Sequence, residues 1–201
     1  MDNKTIQLDS IRDYIFNLFQ DDATGHDFYH MERVARLAKT IARNEAADAF
    51  ITEAAAWLHD VGDKKLFVNP QLARIEMDEF LDEINVTKHE VKAIQSAMES
   101  VSFSKGLTPS TLEGKIVQDA DRLDAIGAIG IARVFAYGGT KDQHIYDGTN
   151  PNNTSIQHFY DKLIKLKGMM HTQTAIDMAK ERHQFMETYL DHFFQEWKGE
   201  S

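Results

Sequence analysis

The chain has 201 residues, 42% of them apolar and 27% charged, with a formal net charge of −10. That length suits one domain with a sizeable core or two small ones, in the composition range of ordinary soluble globular proteins. The absence of cysteine excludes disulfides, thiolate metal ligands and cysteine nucleophiles, and the acidic balance argues against a general nucleic-acid or anionic-membrane surface.

The first ten residues, MDNKTIQLDS, lack the basic and apolar stretches of a secretory signal. No apolar run approaches the roughly 18–20 residues that cross a bilayer, so no membrane association is expected. A cytoplasmic location is the expectation.

Along the chain the apolar pattern is helical. Ile11, Ile15, Leu18 and Phe19 form an i, i+4, i+7, i+8 stripe. Val34, Leu37, Ala38 and Ile41 repeat it, as do Ile51, Ala54, Ala55 and Leu58. Thr87 followed by Glu90 matches a capping box that opens a helix bearing Val91, Ile94 and Met98. Residues 111–136 read as one or two helices, with Gly127 and Gly130 allowing a break or close packing. The longest amphipathic pattern runs from Ile176 through His183 to Trp197.

Between these lies the longest irregular stretch, residues 138–153, rich in Gly, Asn and Asp and expected to be a mobile flap. The three prolines, Pro70, Pro109 and Pro151, each stand where the pattern breaks. VSFS at 101–104 is too short to build a sheet. The expected architecture is all-α: one domain over residues 1–201, with a core at 26–125 and C-terminal helices at 152–198.

Chemistry enters through polar residues on apolar faces. His30 shares the buried face of Val34 and Leu37. A lone histidine there is commonly a hydrogen-bonded core residue. His59–Asp60 ends an apolar helix just before Gly62, and a carboxylate at such a place needs a partner if buried. Asp121 shares a stripe with Val117, Asp124 and Ala128. Two neutral imidazoles cannot balance these carboxylates, whereas a divalent metal satisfies all four groups together. His30, His59, Asp60 and Asp121 are therefore the expected ligands. Such a set suits Mn²⁺, Fe²⁺, Co²⁺, Ni²⁺ or Zn²⁺ without choosing among them.

His30, the adjacent His59–Asp60 and then Asp121, all on helices, resemble the HD-domain metal-dependent phosphohydrolases. GHDFYHMERV resembles the family's His-x-x-Arg-Val opening and LHDVGDKK its His-Asp-x-Gly turn. SFSKG at 102–106, QDADRLDAIGAIGIAR at 118–133 and HFYDKLIKLKGMMHT at 158–172 resemble a bacterial subgroup described as nucleotide pyrophosphohydrolases.

The resemblance covers residues 1–198 and implies an HD-type helical bundle with one divalent cofactor, Mn²⁺ before Mg²⁺ and the ions above. Two-metal members carry extra histidines, where this chain has Ser100 and Val101. His89 lies at the start of that helix and reads as a solvated cap. A single ion is expected.

Asp63, three residues past Asp60, is the candidate base. A metal lowers the pKa of bound water toward about 7, and a nearby carboxylate takes or orients its proton. The alternative is a turn-capping role for Asp63. Arg33, Arg122 and Lys105, with Ser102 and Ser104, are the candidate phosphate-binding residues.

The implied activity is hydrolysis of a small-molecule nucleotide, a nucleoside triphosphate giving monophosphate and pyrophosphate. The alternatives are a phosphomonoesterase on nucleoside 5′-monophosphates or another small phosphate, and a non-enzymatic nucleotide sensor with a structural metal.

Overall fold

The computed structural model describes residues 2–20, 26–99, 101 and 108–200. Every regular element among them is helical, as the periodicity predicts. The chain divides into two compact units, Met1–Asp121 and Arg122–Ser201, and the boundary falls inside one helix.

The first unit holds α1 (Asn3–Phe19), α2 (Phe28–Asn44), α3 (Ala49–Leu58), α4 (Pro70–Glu83), α5 (Lys88–Met98) and most of α6 (Leu112–Asp124). Its centre is α3, which packs on α1, α2 and α5. Burial of α3 runs nearly all the way round, with Ala54, Ala55, Ala56 and Leu58 fully covered. A helix apolar on every side is stable only when neighbours surround it.

Asp48 starts α3 by accepting the Ile51 amide at 2.9 Å, and Asp27 starts α2 by accepting the His30 amide at 2.7 Å. A side-chain carboxylate at these positions satisfies an amide the helix leaves unpaired. The Thr87–Glu90 capping box of α5 is present in both directions. Leu18 departs from the predicted stripe of α1: Ile11, Ile15 and Phe19 are buried while Leu18 is exposed.

The second unit contains α7 (Gly127–Thr140), the short α8 (Ser155–His158), a π turn (Phe159–Leu163), α9 (Ile164–Leu166), a 3₁₀ turn (Lys167–Met169) and α10 (Gln173–Lys198). Of the two glycines expected to allow a break, Gly127 stands at it, between the end of α6 and the start of α7, and its φ of 79° suits glycine. It ends the expected stripe there, and Ala128 is exposed.

Helix α7 continues through residues 138–140, which were expected to be irregular. The connection after it is tied down: the Ser155 and Ile156 amides donate to the His144 and Ile145 carbonyls, each at 3.0 Å. Tyr146 meets Phe193, Phe194 and Trp197 of α10 edge to face. These contacts anchor the segment at Tyr146 and at its end, while most residues between 141 and 153 are exposed.

The turn after α3 sets where the His59–Asp60 pair sits. Gly62 has φ 76°, and a Cβ there would stand 2.8 Å from the Pro70 carbonyl oxygen and 2.7 Å from Cγ of Arg74. Gly62→Ala combines left-handed strain with a backbone clash. It is expected to cost about 2 kcal/mol, lowering the melting temperature by roughly 4–8 °C for a chain of this size. Differential scanning calorimetry of the two proteins measures this, and superimposable transitions would contradict it.

Candidate metal centre

The first unit brings the four predicted ligands together. His30 projects from the first turn of α2, His59 and Asp60 follow the last turn of α3, and Asp121 comes from α6. The His30 side chain is completely buried, that of His59 is 2% exposed, Asp60 12% and Asp121 26%. The two imidazoles thus form the floor and Asp121 the more open side.

Nε2 of His30 lies 3.8 Å from Oδ2 of Asp60 and 3.6 Å from Oδ1 of Asp121. Nε2 of His59 lies 3.5 Å from Oδ1 of Asp60 and 4.0 Å from Oδ1 of Asp121. These separations suit a shared cation, since two ligands each about 2.1 Å from one ion stand no more than about 4.2 Å apart.

The tautomer of His59 points the same way. Its Nδ1 lies 2.8 Å from the Ala56 carbonyl oxygen, so that nitrogen carries the proton and donates it. Nε2 is left with a lone pair, buried and without a hydrogen-bond partner among the described residues. Donation from the far ring nitrogen to a backbone carbonyl is the usual outer support of a metal-binding histidine. The donor set therefore fits a divalent ion, and the ends of three helices converge to supply it.

His26 was not singled out in the sequence. It sits one turn ahead of His30, just before the Asp27 cap, and its Nδ1 lies 2.8 Å from Oδ2 of Asp60. The rings of His26, His30 and His59 follow one another edge to face, with centroids 5.4 and 5.3 Å apart. The i, i+4 spacing of His26 and His30 was the available signal. Burial pushes the Asp60 carboxyl up, but the imidazoles of His59, His26 and His30 outweigh it and hold the group well below the usual carboxylate range.

Asp63 follows in the same turn. Its amide donates to the Asp60 carbonyl at 3.0 Å, and its Oδ1 accepts the Lys65 amide at 2.8 Å. One carboxylate oxygen thus shapes the turn. Oδ2 receives no hydrogen bond among the described residues.

Arg33 is half-buried on α2, one turn past His30. Lys105, Ser102 and Ser104 lie outside the described residues, as does Ser100, while Val101 is buried. His89 is exposed at the start of α5.

Arg122 belongs to the second unit, where it is buried and its Nη1 donates to the Met169 carbonyl and lies 3.0 Å from Nε2 of His171. The next carboxylate along, Asp124, is buried against Arg133. His171 gave no signal in the sequence, because its contact with Arg122 spans 49 positions.

A helical unit presenting one histidine, an adjacent His-Asp pair and a distant aspartate around a single point defines a class of protein. The model of the HD domain matches residues 27–126. The chain belongs to the HD-domain family and is a metal-dependent phosphohydrolase.

Among its relatives is the protein YpgQ of Bacillus subtilis, 41% identical over 187 residues, which cover 90% of this chain and 88% of that protein. The crystal structure of YpgQ in complex with ADP superposes with a TM-score of 0.85, at 37% identity over 97% of each chain. A crystal structure of an HD-superfamily hydrolase from Bacillus thuringiensis superposes with a TM-score of 0.84, at 39% identity, covering 97% of this chain and 98% of that one. No helix among the described residues is long and apolar enough to cross a membrane.

The depressed carboxyl of Asp60 gives a signed expectation for metal-free protein. A group whose pKa is lower folded than unfolded stabilises above the unfolded value, about 3.9, and that stabilisation is lost as pH falls from there through the lower folded value. With chelator present, wild type and Asp60→Asn should differ most in urea midpoint at neutral pH. The gap should narrow as the solution is taken to the ordinary carboxylate range. A gap that widens on acidification would contradict the assignment.

Proposed function

We propose that His30, His59, Asp60 and Asp121 hold one divalent ion, Mn²⁺ foremost, and that the chain hydrolyses a nucleoside triphosphate to its monophosphate and pyrophosphate. The observation that carries the reading is the convergence of Nε2 of His30 and Nε2 of His59 on Oδ1 of Asp121, at 3.6 and 4.0 Å, with Oδ1 of Asp60 3.5 Å from Nε2 of His59. The nucleotide part is supported by YpgQ, a relative crystallised with ADP.

A divalent ion supplies two things at such a site: it lowers the pKa of a coordinated water toward about 7, and it neutralises charge developing on the phosphate oxygens. The residues supply the rest. His30 and His59 sit in a buried floor that keeps bulk water from their ring nitrogens, and the Ala56 carbonyl fixes the His59 tautomer. Asp121, a quarter exposed, stands on the side from which substrate enters.

Asp63 takes the proton of the attacking water through Oδ2, while its Oδ1 remains on the Lys65 amide and keeps the carboxylate from rotating away. The water oxygen bonds to the α-phosphorus as the bond to the bridging oxygen breaks, and pyrophosphate departs. Arg33, with Lys105, Ser102 and Ser104, is the proposed contact for phosphate oxygens. One ion suffices in this scheme, because buried Val101 stands in the stretch where two-metal relatives have histidine.

Two carboxylates in one turn thus have separable roles. Asp63→Asn should keep its metal and its fold while turnover falls by about 10²–10⁴-fold, the usual contribution of a general base. Asp60→Asn should lose metal. Metal content by plasma emission, measured beside pyrophosphate release from a panel of nucleoside triphosphates, tests both. Normal turnover by Asp63→Asn at saturating substrate would return Asp63 to a turn-capping role. Release of phosphate from nucleoside monophosphates, with no pyrophosphate from triphosphates, would replace the reading by a phosphomonoesterase.

A further inference from the structure

Four residues account for the ligand set, yet the tightest polar contact in the cluster is made by a fifth. Nδ1 of His26 stands 2.8 Å from Oδ2 of Asp60, closer than any pair of the four ligand atoms described above. From this geometry we infer that His26 is a positioning residue: it holds Oδ2 of Asp60 by donating from Nδ1, so that Oδ1 is the oxygen offered to the ion. The inference rests on the four-ligand reading above.

The direction of the bond follows from the chemistry of the partners. An ionised carboxylate only accepts, so the proton lies on Nδ1. What separates His26 from His30 and His59 is which nitrogen meets the cluster: the atom it turns to Asp60 is the protonated Nδ1, whereas the other two face the carboxylates with Nε2. Exposure separates them too, since the His26 side chain is 42% exposed against 0% and 2% for the other two. The effect on Asp60 is directional. Oδ1 is the oxygen that faces Nε2 of His59, at 3.5 Å. With both oxygens free, the carboxylate could rotate about its Cβ–Cγ bond or bind through two oxygens. With Oδ2 held, one orientation remains.

The contact is built in by local structure. Asp27, in extended conformation, caps α2 through the His30 amide. That cap fixes the direction from which the chain enters the helix, and with it the place of His26 beside His30. Outer hydrogen-bond partners of this kind typically contribute 10–100-fold to metal affinity.

The test compares full-length wild type, His26→Leu and His26→Asn, each stripped of metal. Mn²⁺ affinity is read by competition with a fluorescent chelator, and the melting temperature of the metal-free form is read alongside. Leucine fills the space without a donor. The amide nitrogen of asparagine hangs from the same Cγ position as Nδ1 and can still donate.

His26→Leu should bind Mn²⁺ 10–100-fold more weakly and His26→Asn within a few-fold of wild type, while metal-free His26→Leu should melt below the other two because it loses the bond to Asp60. Unchanged affinity in His26→Leu overturns the inference and leaves the four-ligand centre standing. Equal loss in both variants makes His26 a ligand and likewise overturns it. Failure of wild type to bind Mn²⁺ overturns the four-ligand reading itself.

Discussion

A carboxylate buried among imidazoles is the constraint around which the first unit is arranged. Taking the Asp60 charge out of water costs several kcal/mol unless something repays it. His59 and His30 sit beside it and His26 hydrogen-bonds it. The imidazoles offset that cost in the metal-free protein, and a divalent ion would add its charge and engage the buried lone pair of His59.

Each helix contributes to that cluster through an ordinary local device. The Asp27 cap starts α2 so that His30 points inward from its first turn. Helix α3 is held on several sides by its neighbours, and its C-terminus delivers His59 and Asp60 together. Gly62 then turns the chain where no side chain fits, and Asp63 closes the turn through the Lys65 amide. In the second unit the charged residues that follow Asp121 on α6 are absorbed otherwise, Arg122 by Met169 and His171 and Asp124 by Arg133. Adjacent positions on one helix thus differ: Asp121 faces the histidine cluster, while Arg122 and Asp124 are taken up by structural partners.

Periodicity made the helices legible, and polar residues interrupting that periodicity made the clustering of His30, His59, Asp60 and Asp121 legible. His30 and His59 stood out because each extends an apolar face. What periodicity could not carry was anything decided by a tertiary contact. Leu18 matches the α1 stripe yet lies exposed, because burial depends on which neighbour reaches that edge. The composition of residues 138–153 gave no sign that Tyr146 meets three aromatic rings of α10 far along the chain. Arg122 looked like a phosphate contact beside Asp121, and its buried guanidinium is held by residues 47 and 49 positions away. His26 was visible only as one more histidine, since its role depends on a carboxylate 34 residues later.

The central claim is that one ion is shared by His30, His59, Asp60 and Asp121. Anomalous diffraction from a crystal grown with Mn²⁺, with data collected on both sides of the manganese edge, tests it most directly. The account predicts a single peak about 2.0–2.2 Å from Nε2 of His30, Nε2 of His59 and a carboxylate oxygen of each aspartate. A peak away from these atoms, or a pair of peaks about 3.5–4 Å apart, would contradict it.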